Sequence, residues 1–135
     1  MKKPQTNKTT TPLRIVAYCR VSTDNQKEEG TINLQVDAIR EYCQKKGFDL
    51  VDTFKDEGVS GGLEDRPALV TFFNFLEGEE GKEIQAVIVW KLDRLARDLY
   101  IQEHLIQKLE LLEKRLISTK EANIDSSDPM RKAFR

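Results

Sequence analysis

The segment Tyr18-Cys19-Arg20-Val21-Ser22 puts a hydroxyl two positions beyond a guanidinium, a pairing suited to attack on an anionic centre. Arginine offers a planar, permanently charged fork that matches phosphate oxygens in pairs. Clustered cations also favour ionisation of a nearby alcohol. Groups of the same kind recur along the chain: Gln35, then Asp56, Ser60 and Arg66, then Asp93, Arg94 and Arg97. Arg20, Arg66, Arg94 and Arg97 around Ser22 describe a site for an oxygen-rich anion, because phosphoryl transfer is mainly positioning plus charge stabilisation. The single histidine, His104, falls in a long helical stretch and cannot complete a Ser-His-Asp triad. No Cys or carboxylate cluster stands with it at ligand spacing, so no metal site is expected.

Each residue also has a plainer reading. Ser22 could end a strand and turn the chain. Arg20 could pair with Asp56, and Arg94 and Arg97 with Asp93 and Asp98. Tyr18 and Trp90 fit a core better than a base-stacking platform. The glycine loop at Gly58, Gly61 and Gly62 lacks the Gly-Lys-Ser/Thr ending of a phosphate loop, which argues against ATP.

The elements that must position these residues follow from apolar patterning. Residues 13–20 form a largely apolar run and read as a strand buried on both faces. A helix opens near Thr31, a fitting N-cap. Its apolar stripe is Ile32, Val36, Ile39 and Cys43, with Gln35 and Tyr42 at the margin and Gly47 as its stop. Residues 48–54 read as a second strand, followed by a loop that begins at Lys55 and runs through the glycines to Arg66. Pro67 suits the first turn of a second helix, whose buried stripe is Leu69, Phe72, Phe73 and Leu76, broken by Gly78 and Gly81. Residues 84–90 predict a third strand and residues 115–119 a short fourth. The third strand delivers residues 91–98 to the sheet edge, and a long helix is expected to follow, to about Lys114. If it is already helical at Asp93, Arg94 and Arg97 share one face. The order implies βαβ crossovers: a three-layer α/β fold with a mainly parallel central sheet of four or more strands flanked by helices. The polar residues then emerge at the carboxyl edge of that sheet, where such folds bind ligands.

The 135 residues suit one core. With 22 basic and 23 acidic residues the net charge is −1. Bulk charge therefore argues against tight, non-specific nucleic-acid binding, and any DNA reading must rest on where a few arginines converge. Cys19 and Cys43 read as packed, reduced thiols. No stretch has the length of a membrane span and the N-terminus has no apolar signal region, which points to the cytoplasm. Residues 1–12 hold no apolar anchor beyond Met1 and are expected to form a disordered tail. Asp128-Pro129 is a good helix start with few residues after it, so the sequence is expected to be truncated at the start of a longer helix.

These motifs resemble the N-terminal catalytic domain of the serine recombinases (the resolvase/invertase family), most of all the large serine integrases and transposases. The match rests on Tyr18-x-Arg20-Val21-Ser22-Thr23, Gln35, Asp56-Glu57-Gly58-Val59-Ser60-Gly61, Arg66-Pro67 and Asp93-Arg94-Leu95-x-Arg97-Asp98, from about residue 13 to 135. The resemblance implies a site-specific DNA recombinase in which Ser22 attacks a phosphodiester and becomes joined to the 5′ phosphate. Arg20, Arg66, Arg94 and Arg97 would hold the scissile phosphate, with Tyr18, Gln35, Asp56, Ser60 and Asp93 in support and no cofactor or metal required. The implied partners are paired DNA sites and further copies of the protein, as dimer and tetramer. The implied source is bacterial, or a phage or other mobile element. The family's further arginine and its main dimerisation helix would lie beyond Arg135, so the chain by itself is expected to be monomeric or weakly dimeric and unable to recombine DNA. Two other readings stay open: a serine-recombinase fold kept for contacts with catalysis lost, and a phosphate-binding α/β module unrelated to DNA.

Overall fold

The computed structural model describes residues 12–21, 31–57 and 66–121. The elements in order are β1 (Arg14–Val21), α1 (Ile32–Lys46), β2 (Asp49–Glu57), α2 (Pro67–Glu77), a 3-10 turn (Glu80–Glu83), β3 (Ala86–Val89), α3 (Leu92–Leu95), α4 (Leu99–Leu111) and β4 (Arg115–Ser118). The four strands form one parallel sheet in the order β2-β1-β3-β4, the α/β architecture that the patterning predicts.

Side-chain alternation along β1 sorts the core into two layers. Ile15, Ala17 and Cys19 pack with Ile32, Val36, Ile39 and Cys43 of α1. Val16 and Tyr18 pack with Leu69, Phe72, Phe73 and Leu76 of α2 and with Leu105, Ile106 and Leu109 of α4. One helix therefore covers one face and the remaining helices the other, as right-handed crossovers require when the strand order reverses at β1. That reversal, between β1 and β3, is the switch point at which open α/β sheets take ligands.

Local signals explain the element ends. Thr31 Oγ1 accepts from Leu34 N–H at 3.2 Å and caps α1. Gly47 closes the helix at φ 75°, a left-handed conformation that glycine adopts without strain. Gly81 lies so close under the end of α2 that a Cβ there would meet Phe75 O and Leu76 O at 2.3 Å. Cys19 and Cys43 are both buried and free, as expected.

Two expectations need correction. The second strand does not stop at residue 54: β2 runs on to Glu57, paired with β1 through Arg20↔Asp56 and Val21↔Glu57. Asp56 is thus a strand residue and not part of a loop. The long helix expected after residue 98 is present as α4, but the helical turn before it is not continuous with it. α3 ends at Leu95, residues 96–98 are not helical, and α4 begins anew at Leu99 with Asp98 as its N-cap. Asp98 accepts from the backbone N–H of Tyr100 at 2.8 Å and Ile101 at 3.2 Å, which caps the start of α4. Arg94 and Arg97 therefore do not share a helix face.

Candidate functional site

Among the described residues Tyr18, Arg20, Asp56, Arg66 and Arg94 come together near the switch point, delivered by β1, β2, α2 and α3. By alternation Tyr18 and Arg20 point to the α2 side of β1, and the register sets Asp56 of β2 beside Arg20. Arg66 stands at the N-cap position of α2, and Arg94 lies in α3. Arg20, Arg66 and Arg94 are each at most 1% exposed. Ser22 and Ser60 lie outside the described residues, as do residues 1–11 and Asp128-Pro129.

Two of these guanidiniums take main-chain carbonyls of one short turn. Arg20 donates from Nε to Arg94 O at 3.3 Å and from Nη2 to Asp93 O at 3.0 Å. Arg66 donates from Nη2 to Arg94 O at 3.2 Å and to Leu95 O. Its Nε reaches Tyr18 Oη at 3.1 Å, with the guanidinium 5.3 Å from the centre of the Tyr18 ring. Arg66 Nη1 has no hydrogen-bond partner among the described residues. Arg94 lies over the Trp90 ring at 5.4 Å, and its Nε is 3.6 Å from Asp93 Oδ1. Arg97 is exposed in the bend between α3 and α4.

The plainer reading that pairs Arg20 with Asp56 does not hold. Asp56 is 2% exposed and its carboxylate is taken by Tyr18 Oη at 2.7 Å and by the backbone N–H groups of Ala68 at 2.8 Å and Leu69 at 3.0 Å. It therefore caps α2 from another strand, an anion at a helix start. Tyr18 and Trp90 are core residues, at 0% and 4% exposure, although the Tyr18 hydroxyl also links Asp56 to Arg66. Gln35, placed at the margin of its stripe by sequence, is fully buried. Its Nε2 donates to Arg20 O at 3.0 Å and its Oε1 accepts from Arg20 N–H at 3.2 Å.

Burial first, and then the charges of Arg20 and Arg97, lower the pKa of Arg94 to about 10. Arg20 is lowered by burial and by Arg66, with Tyr18 opposing and Arg97 adding. Burial pushes the Tyr18 hydroxyl well above its ordinary range against the pull of Arg66, so it stays protonated and donates to Asp56. The lowered values of Arg20 and Arg94 report cations set close to one another in a buried place.

Two residues that position the site escape sequence reasoning. Glu121 accepts from Leu92 N–H at 3.1 Å and from Ser118 Oγ, and Gln102 donates to Ala96 O at 2.8 Å. Glu121 reaches α3 from beyond β4 and Gln102 from the adjoining α4, and neither carries a motif that could announce it.

A parallel α/β sheet with guanidiniums gathered at its switch point sets them where folds of this architecture take ligands. The family model described as "Resolvase, N terminal domain" matches residues 15–135, and the chain belongs to that family. It is 34% identical over 122 residues to the transposon Tn917 resolvase of Enterococcus faecalis, covering 89% of this chain and 56% of that protein. The chain thus spans little more than half the length of that relative. Among solved structures it resembles the N-terminal catalytic domain of TP901-1 integrase, with 32% identity, a TM-score of 0.78, and 90% of this chain and 87% of that one covered. It also resembles the C-terminal catalytic domain of ISC1926 TnpA, an IS607-like serine recombinase, with 26% identity, a TM-score of 0.65, and coverage of 79% and 67%. Among the described residues no helix is long and apolar enough to cross a membrane.

Proposed function

We propose that this is the catalytic domain of a site-specific DNA recombinase with Ser22 as its nucleophile. The observation that carries the reading is the convergence of Arg20, Arg66 and Arg94, from three separate elements, on the α3 turn at the switch point. Ser22 follows directly on β1, two residues past Arg20. The Ser22 hydroxyl gives up its proton as its Oγ attacks a DNA phosphorus. The bond from phosphorus to the 3′ oxygen breaks and the leaving oxygen takes a proton, so none is gained or lost. The product is a 5′-phosphoserine and a free 3′ hydroxyl. Rejoining is the reverse attack by a 3′ hydroxyl, and one phosphodiester is exchanged for another throughout.

In this reading the cations stabilise the charge that grows on the non-bridging oxygens. Arg66 Nη1, without a hydrogen-bond partner among the described residues, is a donor left for the phosphate while the α3 carbonyls hold the rest of the fork. Arg97 is the exposed member that meets the backbone first. Gln35 fixes Arg20 and so the end of the strand that leads to Ser22. Tyr18 and Asp56 hold Arg66, and Asp93, Arg94 and Ser60 complete the site. The names of the similar proteins support DNA as substrate, and the working form is a dimer that pairs into a tetramer on two sites.

The test is covalent capture from a randomised duplex DNA library, followed by denaturation in SDS. Wild type should retain DNA whose 5′ ends resist exonuclease and whose 3′ ends a polymerase can extend, while Ser22→Ala should retain none and fold as before. Equal retention by both proteins, or none by wild type, would overturn the proposal.

A further inference from the structure

The α3 turn carries Arg94 and supplies the carbonyls that hold Arg20 and Arg66, yet its four residues are too few to stay helical unaided. Its N-cap, Lys91, makes no side-chain cap hydrogen bond. The cap comes instead from a residue that follows β4. Glu121 Oε1 accepts from the Leu92 N–H at 3.1 Å, across 29 positions of sequence, and is itself held by the Ser118 hydroxyl. Charge-assisted bonds of this kind are stronger than neutral ones.

The backbone around Glu121 is anchored without its side chain. Thr119 N–H donates to Val89 O at 3.0 Å and Lys120 N–H to Trp90 O at 3.0 Å. Thr119 Oγ1 adds a bond to Trp90 O at 2.9 Å. The end of β4 is thereby fixed to the end of β3, and from that fixed point Glu121 reaches to the first residue of α3. At the far end of α3 the Gln102 amide holds Ala96 O. The carboxylate is thus a long-range side-chain clamp on the turn that organises the cation cluster, and Gln102 is a local one.

We propose that Glu121 is a positioning residue for the site: by holding Leu92 it sets α3, and through the carbonyls of Asp93, Arg94 and Leu95 it sets the guanidiniums of Arg20 and Arg66. Its catalytic consequence rests on the recombinase reading, whereas its effect on α3 does not. Glu121→Ala removes the clamp while the Thr119 and Lys120 backbone bonds remain, so the sheet keeps its anchor. Glu121→Gln keeps an oxygen that can accept from Leu92.

The experiment uses the full chain and three readouts. Amide hydrogen exchange at Leu92, Arg94 and Leu95 should quicken at least about tenfold in Glu121→Ala, and the Nε–H resonances of Arg20 and Arg66 should shift or broaden. The unfolding midpoint should hold, and Glu121→Gln should restore both signals. On DNA that wild type captures, the rate of adduct formation at saturating DNA should fall on the order of ten- to a hundredfold, the scale of a small misplacement, with DNA affinity unchanged. Unaltered exchange and Arg signals in Glu121→Ala would overturn the proposal. So would full adduct formation by Glu121→Ala where Ser22→Ala forms none. If wild type forms no adduct the recombinase reading fails, and exchange still decides the role of Glu121.

Discussion

The side-chain amide of Gln35 closes a two-point ring of hydrogen bonds on the backbone of Arg20, donating to its carbonyl at 3.0 Å and accepting from its N–H at 3.2 Å. β3 pairs with β1 only from Ile15 to Ala17. Beyond that point a helix side chain does for β1 what a neighbouring strand would have done. The strand can therefore run on past its partner, carrying Arg20 to the sheet edge with its backbone satisfied.

Replacing Gln35 with leucine keeps much of the volume and strips both bonds. The buried N–H and C=O of Arg20 would each be left short of a partner, at about 1–3 kcal/mol apiece. Urea unfolding should show a loss of at least about 1 kcal/mol. A variant as stable as wild type would mean that water or another group replaces the amide.

Tyr18→Phe isolates one hydroxyl. The ring contact with Phe72, at 5.7 Å between centroids, is kept. Arg66 Nε loses its acceptor and Asp56 loses one of three donors. Because both partners are charged, the expected cost is about 1.5–3 kcal/mol, read by denaturant unfolding. Adduct formation should slow as well, since Arg66 is held by that hydroxyl. Wild-type stability would show that the Asp56–Tyr18–Arg66 chain contributes nothing net.

Arg94 links stability to anions. Its pKa stands near 10, well below the ordinary guanidinium range, so the folded state releases this proton first. Below about pH 10 the cost of keeping the charge buried is fully present, and it fades as pH rises from there toward the ordinary guanidinium range. An anion in the cluster offsets that cost at neutral pH. Sulfate should therefore raise the unfolding midpoint above chloride at equal ionic strength, and the gain should shrink in Arg94→Ala. The same variant should slow adduct formation by about 2.7–4 kcal/mol, the scale for one lost transition-state donor. A cleavage rate within a few-fold of wild type would remove Arg94 from the site.

The two thiols predict an alkaline limb. Burial pushes Cys43 up to about 11, and it pushes Cys19 up to about 12 against the opposing charge of Lys55, from an ordinary 9.0. The unfolded thiols ionise first, so the folded state binds more protons and stability falls as pH climbs from about 9 to about 11. Cys43→Ala should flatten part of that fall, and native protein should resist alkylation at pH 8. Rapid labelling of native Cys43 would contradict its burial.

The amino-acid sequence alone determined the layers and the family. Strand and helix periodicities report which face of an element is buried, and that is why Ile15 through Cys19, the Ile32–Cys43 stripe and the Leu69–Leu76 stripe all fell where the patterning put them. Residue types named the cations, because arginine beside a terminal serine suits few chemistries. Tertiary structure decided what each charge touches. Asp56 became a helix cap and not the partner of Arg20, the helix broke between Arg94 and Arg97, and Glu121 came to hold a turn 29 residues away. Arg20 finds its acceptors 73 and 74 positions down the chain. Periodicity describes burial along one element, whereas the acceptor of a buried guanidinium is chosen by whichever carbonyls the crossovers bring within about 3 Å, and no local pattern encodes that.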